Sequence, residues 1–134
     1  MDLLNLEIIT PQRVMVQEEV DMVEATGDYG EFGVLPGHTQ FLTTLEIGEI
    51  RFMKNGETTY IATGGGIAEI AENKVIFLLN TAEFPEEIDL EIVQREKERA
   101  EEFLRTLAMD TKDYMLQERA LLRAIARISV AGRR

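Results

Sequence analysis

Short apolar segments separated by turn-forming residues fill the first two-thirds of the chain. They run Leu3–Ile9, Val14–Val16, Val20–Ala25, Phe41–Leu45, Ile47–Lys54, Thr58–Thr63, Ile67–Ala71 and Lys74–Leu79. Many short strands at this spacing predict an antiparallel sandwich or barrel. Asn55-Gly56 lies between Ile50-x-Phe52 and Tyr60-x-Ala62. It predicts a tight hairpin, because a primed two-residue turn needs positive φ. Glu72-Asn73 predicts a second hairpin between Ile67–Ala71 and Val75–Leu79. Val75–Leu79 is apolar throughout, which predicts a strand buried on both faces.

After Pro85 the period becomes helical. Asp89 is placed to cap a helix whose apolar arc is Leu90, Val93, Ala100, Phe103, Leu104 and Leu107. Glu91 with Arg95, and Glu101 with Arg105, stand four apart on its outer face. Ala108–Lys112 reads as a turn, and Tyr114, Leu121, Ile125 and Ile128 form one stripe of a second helix. Two helices so closely joined pack as an antiparallel hairpin. Nine of the ten glycines fall in the first 66 residues, so composition changes where the period does. The expected fold is therefore α+β. An N-terminal antiparallel β-sandwich (1–84) precedes a C-terminal antiparallel two-helix hairpin (85–134).

Charge separates the same two parts. Residues 1–84 hold 14 acids and 4 bases, whereas 85–134 hold 11 and 10. From Tyr114 onward only Glu118 opposes Arg119, Arg123, Arg127, Arg133 and Arg134, so one end is locally basic. The net charge of −11 argues against nucleic acid as a partner, since such binding needs a basic footprint. There is no cysteine, which removes disulfides, thiolate catalysis and cysteine metal sites. No apolar run approaches the length of a membrane span, and no basic-then-apolar leader opens the chain. A soluble cytoplasmic protein is the expectation.

Candidate chemistry is sparse. His38 is the sole histidine and Ser129 the sole serine, and they do not form a nucleophile constellation, so no catalytic residue is assigned. One histidine with scattered carboxylates does not make a metal site either. Gly64-Gly65-Gly66 follows a strand but lacks the lysine of a phosphate loop and leads into another strand. It reads as a close backbone approach between strands. Gly30 to His38 reads as a rigid loop, with Gly33 and Gly37 supplying unusual dihedrals and Pro36 limiting freedom. Arg119, Arg123 and Arg127 recur every four residues and share one helix face, opposite the apolar stripe. That face is either solvated or suited to an acidic partner.

Several of these features fall in a familiar order. Thr10-Pro11, Gly27 through His38, Leu42-Thr43, Gly64-Gly65-Gly66 before Ile67-x-Glu69-Ile70, Thr81-Ala82-Glu83, Lys97-x-Arg99-Ala100-Glu101 and Ser129-Val130 are similar, in sequence, to the epsilon subunit of the bacterial F-type ATP synthase. The resemblance implies a ten-stranded sandwich and two helices at the foot of the rotor's central stalk, with no catalytic site of its own. It implies the gamma subunit, the membrane ring of c subunits and the alpha/beta catalytic head as partners. The membrane is met only through the complex, on the cytoplasmic face of the bacterial inner membrane.

By the same resemblance Glu31, Phe32, Val34, Pro36 and His38 belong to the docking loop, with Glu31 towards the ring and His38 towards gamma. Arg119, Arg123 and Arg127 would restrain ATP hydrolysis from an extended second helix. Some relatives bind ATP at the folded hairpin through an Ile/Leu-Asp-x-x-Arg-Ala motif. Here Glu83, Asp89, Arg99, Arg123 and Arg127 stand at matching places, while Ile92 and Val93 replace the motif's arginine and alanine. No cofactor is expected, and at most weak ATP binding. The alternative reading is a free-standing sandwich that binds a small ligand beneath a helical lid.

Overall fold

The computed structural model describes residues 2–38 and 40–133. Ten strands occur among them: β1 (Leu4–Ile9), β2 (Val14–Val20), β3 (Met22–Gly27), β4 (Gly30–Val34), β5 (Phe41–Leu45), β6 (Gly48–Lys54), β7 (Glu57–Thr63), β8 (Gly66–Ala71), β9 (Lys74–Leu79) and β10 (Ala82–Glu83). A 3-10 turn (Pro85–Glu87) leads into α1 (Leu90–Thr106) and α2 (Lys112–Ala131). Arg134, the last base of the basic end, lies outside the described residues.

Pairing runs β10-β7-β6-β3-β5-β8-β9-β1-β2, with β4 attached to β3 alone. The strand that turns this ribbon into two layers is β3. Its first residues pair with β6, from Met22↔Met53 to Glu24↔Arg51, and its last, Gly27, pairs with Leu45 of β5. The inward residues of both layers, among them Leu4, Leu6, Ile8, Val23, Ile50, Ile61, Ile70, Val75 and Phe77, make one core within 1–84. Both expected hairpin turns are present, with positive φ at Asn55, Gly56, Glu72 and Asn73. Gly66 is where two strands come close, since a Cβ there would run into the Leu78 carbonyl oxygen.

Four expectations about the strands need correction. The sheet is not wholly antiparallel, because β1 and β9 run parallel, from Asn5↔Lys74 to Ile9↔Leu78. That pairing brings the N-terminal strand beside one nearly seventy residues away, a partner that no local pattern announces. Strand β9 is not buried on both faces. Val75, Phe77 and Leu79 point inward, while Leu78 is 51% exposed. With Val14, Ile9 and Ile67 it forms an apolar row across four strands. Gly30 to His38 is not one loop, since its first five residues are strand β4, joined to β3 through Asp28-Tyr29. Gly33 has no positive φ; its value is space, because a Cβ there would crowd Met22.

The helices obey the capping rules. Asp89 Oδ1 accepts the Ile92 N–H at 3.2 Å, and Thr111 Oγ1 accepts the Tyr114 N–H at 3.2 Å. Arg127, late in α2, reaches Glu96, early in α1, so the two helices run antiparallel. Their buried face differs from the expected stripes. A second core joins Val93 of α1 and Ala124, Val130 and Ala131 of α2 to Ala62 of β7 and Ile88 of the linker. Leu90, Phe103 and Ile125 are 40%, 47% and 46% exposed, so the larger apolar residues stay partly outside. Alanines won because a helix lying close on a sheet leaves no room for longer side chains at the line of contact. Neither expected i,i+4 pair on α1 occurs among the ion pairs of the described residues.

Because the larger core lies wholly within 1–84, that segment is expected to fold by itself. Circular dichroism should keep its strand signal and proton NMR its dispersed methyl resonances, whereas an unfolded chain would show that the helices are needed for the sandwich.

Candidate functional site: a docking edge and an ion-paired cleft

The residues expected to dock begin on β4, whose free side makes no strand pair among the described residues. Alternation places Glu31 and Gly33 outward, with Phe32 half-buried and Val34 fully buried. Val34 therefore cannot offer its side chain to a partner; it anchors the edge in the core. Glu31 is not an isolated acid, because it pairs with Arg51 of β6. Arg51 also meets Glu24 at 3.5 Å and Glu49 at 3.2 Å. The hydrogen bond with Glu31, opposed by desolvation and aided by Glu49, raises the Arg51 pKa above its ordinary value.

Beyond β4 the chain turns through Leu35-Pro36-Gly37-His38, closed by the His38 N–H donating to the Leu35 carbonyl at 3.1 Å. Gly37 has φ of 85°, the conformation a type II turn requires at its third residue, with Pro36 fixing the second. The Gly37 N–H donates to Asn73 Oδ1 at 2.6 Å, which ties this turn to the β8–β9 hairpin. Phe32, Phe41 and His38 meet edge-on in sequence, with centroids 5.6 and 6.1 Å apart. Phe32, Pro36 and His38 are thus held in place on one rim, with Leu35 56% exposed beside them.

A second site lies where the hairpin meets β10. Glu83, Arg99, Arg123 and Arg127 line one cleft of about 610 Å3, joined by Gln12, Thr81, Glu96 and Gln117. The fold thus gathers four of the five residues matched to the ATP motif. It does not bring in Asp89, whose carboxylate is committed to capping α1. Ile92 lines an adjoining cleft with Arg95, Glu96 and Arg99, while Val93 is in the core.

Arg127 does not lie on a solvated face with Arg119 and Arg123. Its Nε and Nη2 donate to the two Glu83 oxygens at 2.6 and 3.1 Å, and Nη1 donates to Glu96 at 3.1 Å. The four-residue spacing drifts about 40° per step, which turns the stripe from exposed Arg119, through Arg123 on the cleft lining, to Arg127 paired inside it. Arg119 remains exposed, and its charge opposes the rise in the Glu46 pKa. That rise comes first from a hydrogen bond to Asp28 and then from burial.

Residues without a sequence signal complete the picture. Glu49 of β6 receives Arg51, Arg133 and Ser129 together. The spacing of Glu49 and Arg51 marks them as neighbours on one strand face, but nothing local links either to the chain terminus. Glu87 accepts from Arg13 at 2.7 Å and from the Phe84 N–H at 2.8 Å, pinning the linker to the β1–β2 loop. Among the described residues no cluster suits a metal ion, and no helix is long and apolar enough to cross a membrane.

The beta-sandwich domain of the ATP synthase delta/epsilon chain matches residues 3–85, and the long alpha-helix domain of that chain matches 86–132. The chain belongs to the ATP synthase delta/epsilon family. It is 45% identical over 130 residues to the ATP synthase epsilon chains of Geobacter sulfurreducens and Geotalea daltonii, covering 97% of this chain and 94% of each relative. The ATP synthase epsilon chain 2 of Syntrophotalea carbinolica matches to the same extent. In fold, a chain of the Euglena gracilis mitochondrial ATP synthase (OSCP/F1/c-ring) superposes with a TM-score of 0.82 at 23% identity, over 96% of this chain and 81% of that one. A chain of the Tetrahymena thermophila central stalk/c-ring superposes with a TM-score of 0.62 at 12% identity, over 96% and 92%. The protein is an epsilon-type, non-catalytic subunit of ATP synthase, peripheral to the membrane, and the free-standing ligand module is set aside.

Two outcomes follow from these ion pairs. Replacing Arg127 with alanine should lower stability by about 1 kcal/mol, the scale of a bidentate, partly exposed pair, with the loss confined to the hairpin. Thermal unfolding followed at helix and strand wavelengths would check this. Arg13 and the Phe84 N–H together hold the Glu87 carboxyl below its ordinary 4.5, despite opposing desolvation. A depressed folded-state pKa contributes stability above the unfolded value and loses it as pH falls through the folded one. The linker should therefore loosen below about pH 4.5, and Glu87→Gln should remove that part of the acid sensitivity, as read by hydrogen exchange at 84–90.

Proposed function

We propose that the sandwich docks this subunit to the gamma subunit and the c-ring of the rotor, and that α2 restrains ATP hydrolysis when it leaves the sandwich. The observation that carries this is the inequality of the two cores. The sandwich has a complete core of its own, whereas the hairpin is held by one small alanine-rich contact and by ion pairs. The first can stay docked while the second opens. Glu31, Phe32, Pro36 and His38 sit on an edge whose shape is set before binding, which lowers the ordering cost of docking. The apolar row of Val14, Ile9, Leu78 and Ile67 supplies a surface for gamma, since rows of this kind on a sheet face mark association sites. Residence would be on the cytoplasmic face of the bacterial inner membrane, through the complex.

For α2 to act, Arg127 must exchange Glu83 and Glu96 for acids of the alpha/beta head, joined by Arg119 and Arg123. Charge pairs lost at home are replaced at the destination, so a modest free-energy difference can move the population. Hydrolysis by the reconstituted complex is expected to rise in the order wild type, then Arg119, Arg123 and Arg127 all changed to alanine, then the chain cut to 1–110. Single changes should do little, since exposed pairs contribute only about 0.2–1 kcal/mol each. Equal rates for all three would return the arginines to a local structural role. The 1–84 segment should still copurify with gamma, and its loss would place docking on the helices.

The cleft supports a second reading, weak ATP binding. Arg99 and Arg123 favour phosphate, while Glu83 and Glu96 occupy Arg127 and repel it. Ile92 supplies no guanidinium, a loss of about 1.5–3 kcal/mol against a charge-assisted contact. Calorimetric titration is expected to give an affinity too weak for cellular ATP to saturate, and Ile92→Arg to strengthen it roughly tenfold or more. Tight binding by the unaltered chain would overturn this reading.

A further inference from the structure

Glu49 is where two surfaces far apart in the chain meet. Its side chain is only 14% exposed, and three donors converge on it. Arg51 Nη1 reaches Oε1 at 3.2 Å, Arg133 Nη2 reaches the same oxygen at 3.7 Å, and the Ser129 hydroxyl donates to Oε2 at 3.3 Å. Arg133 also lies over the Tyr60 ring at 4.6 Å. The last turn of α2 is thereby clasped to β6 and β7. On its other side Arg51 pairs with Glu31 and Glu24.

We propose that Glu31, Arg51 and Glu49 form a charge relay that couples occupancy of the β4 docking edge to the clasp on the end of α2, so that a cationic partner engaging Glu31 loosens Ser129 and Arg133. The proposal rests on the reading that β4 docks and the hairpin opens. Two guanidinium groups share one carboxylate oxygen, and they repel unless each is compensated elsewhere. Glu31, with Glu24 as the weaker partner, compensates Arg51. When a partner's cation takes Glu31, Arg51 keeps its full charge beside Arg133 and also closes more fully on Glu49. Both effects weaken the hold on Arg133. Arg51 is 22% exposed and Glu49 14%, so the central link is screened less than a surface pair, while Glu31 and Arg133, 59% and 46% exposed, are screened more. Helix ends open at little cost, which makes the last turn responsive to a small change.

The test uses the full isolated chain and reads amide hydrogen exchange by NMR over 128–133. Glu31→Gln is expected to speed exchange there roughly two- to fivefold, the range for one partly exposed pair. Glu31→Lys, which puts a cation on the edge, should do at least as much. Neither should add to Glu49→Gln, which removes the clasp, and Glu31→Gln should be silent once Arg51 is glutamine. Resonances of the sandwich core report that each variant is folded. Unchanged exchange over 128–133 in both Glu31 variants would overturn the relay, as would an undiminished Glu31→Gln effect in the Arg51→Gln background. Since the isolated chain is measured, a working relay with no change in hydrolysis by the complex would count against the regulatory reading alone.

Discussion

Ala124, Val130 and Ala131 of α2 rest on Ala62 of β7, with Ile88 and Val93 closing the sides of the contact. This small apolar patch is what holds the hairpin on the sandwich, and the behaviour of the helices depends on its size. Small side chains let the helix approach closely, but each contributes less burial than a leucine or isoleucine would, at about 25 cal/mol per Å2. The larger apolar groups of α2, such as Met115, Leu122 and Ile125, stay on the outside. A helix arranged this way is seated without being committed.

Ion pairs supply the remainder of the hold, and they do so at both ends of the contact. Arg127 closes the side facing α1 and β10, while Arg133 and Ser129 close the end facing β6. Such pairs give geometry and reversibility more than raw stability, because water recovers much of their energy when they part. The same chemistry at the β4 edge has a different use. There Arg51 and Asn73 fix the strand and its turn before any partner arrives. One molecule thus combines an edge fixed by its own ion pairs and hydrogen bonds with a hairpin held by a small apolar contact and ion pairs.

Family membership and fold support each other here for a physical reason. Pro36-Gly37 and Gly66 lie where the sheet needs them, at a tight turn and at the close approach of Gly66 to Leu78. Where the chain departs from the nucleotide-binding pattern, the departure is local. Val93 lies in the second core and Ile92 faces an open cleft, so the packing is intact at both positions.

The sequence by itself determined what depends on near neighbours. Most strands and both primed turns were legible from period and turn residues, as were the Asp89 cap and the change to helix after Pro85. Each follows from φ preferences, side-chain period or the mere presence of a functional group. Tertiary structure decided what depends on distant partners. The parallel pairing of β1 with β9 and the entry of Arg127 into the Glu83–Glu96 cleft were not legible. The burial of Val34 and the meeting of Arg51, Arg133 and Ser129 on Glu49 were hidden too. A period reports which residues share a face, but not which face is covered or by what. That is settled only when the two layers and the hairpin close on one another.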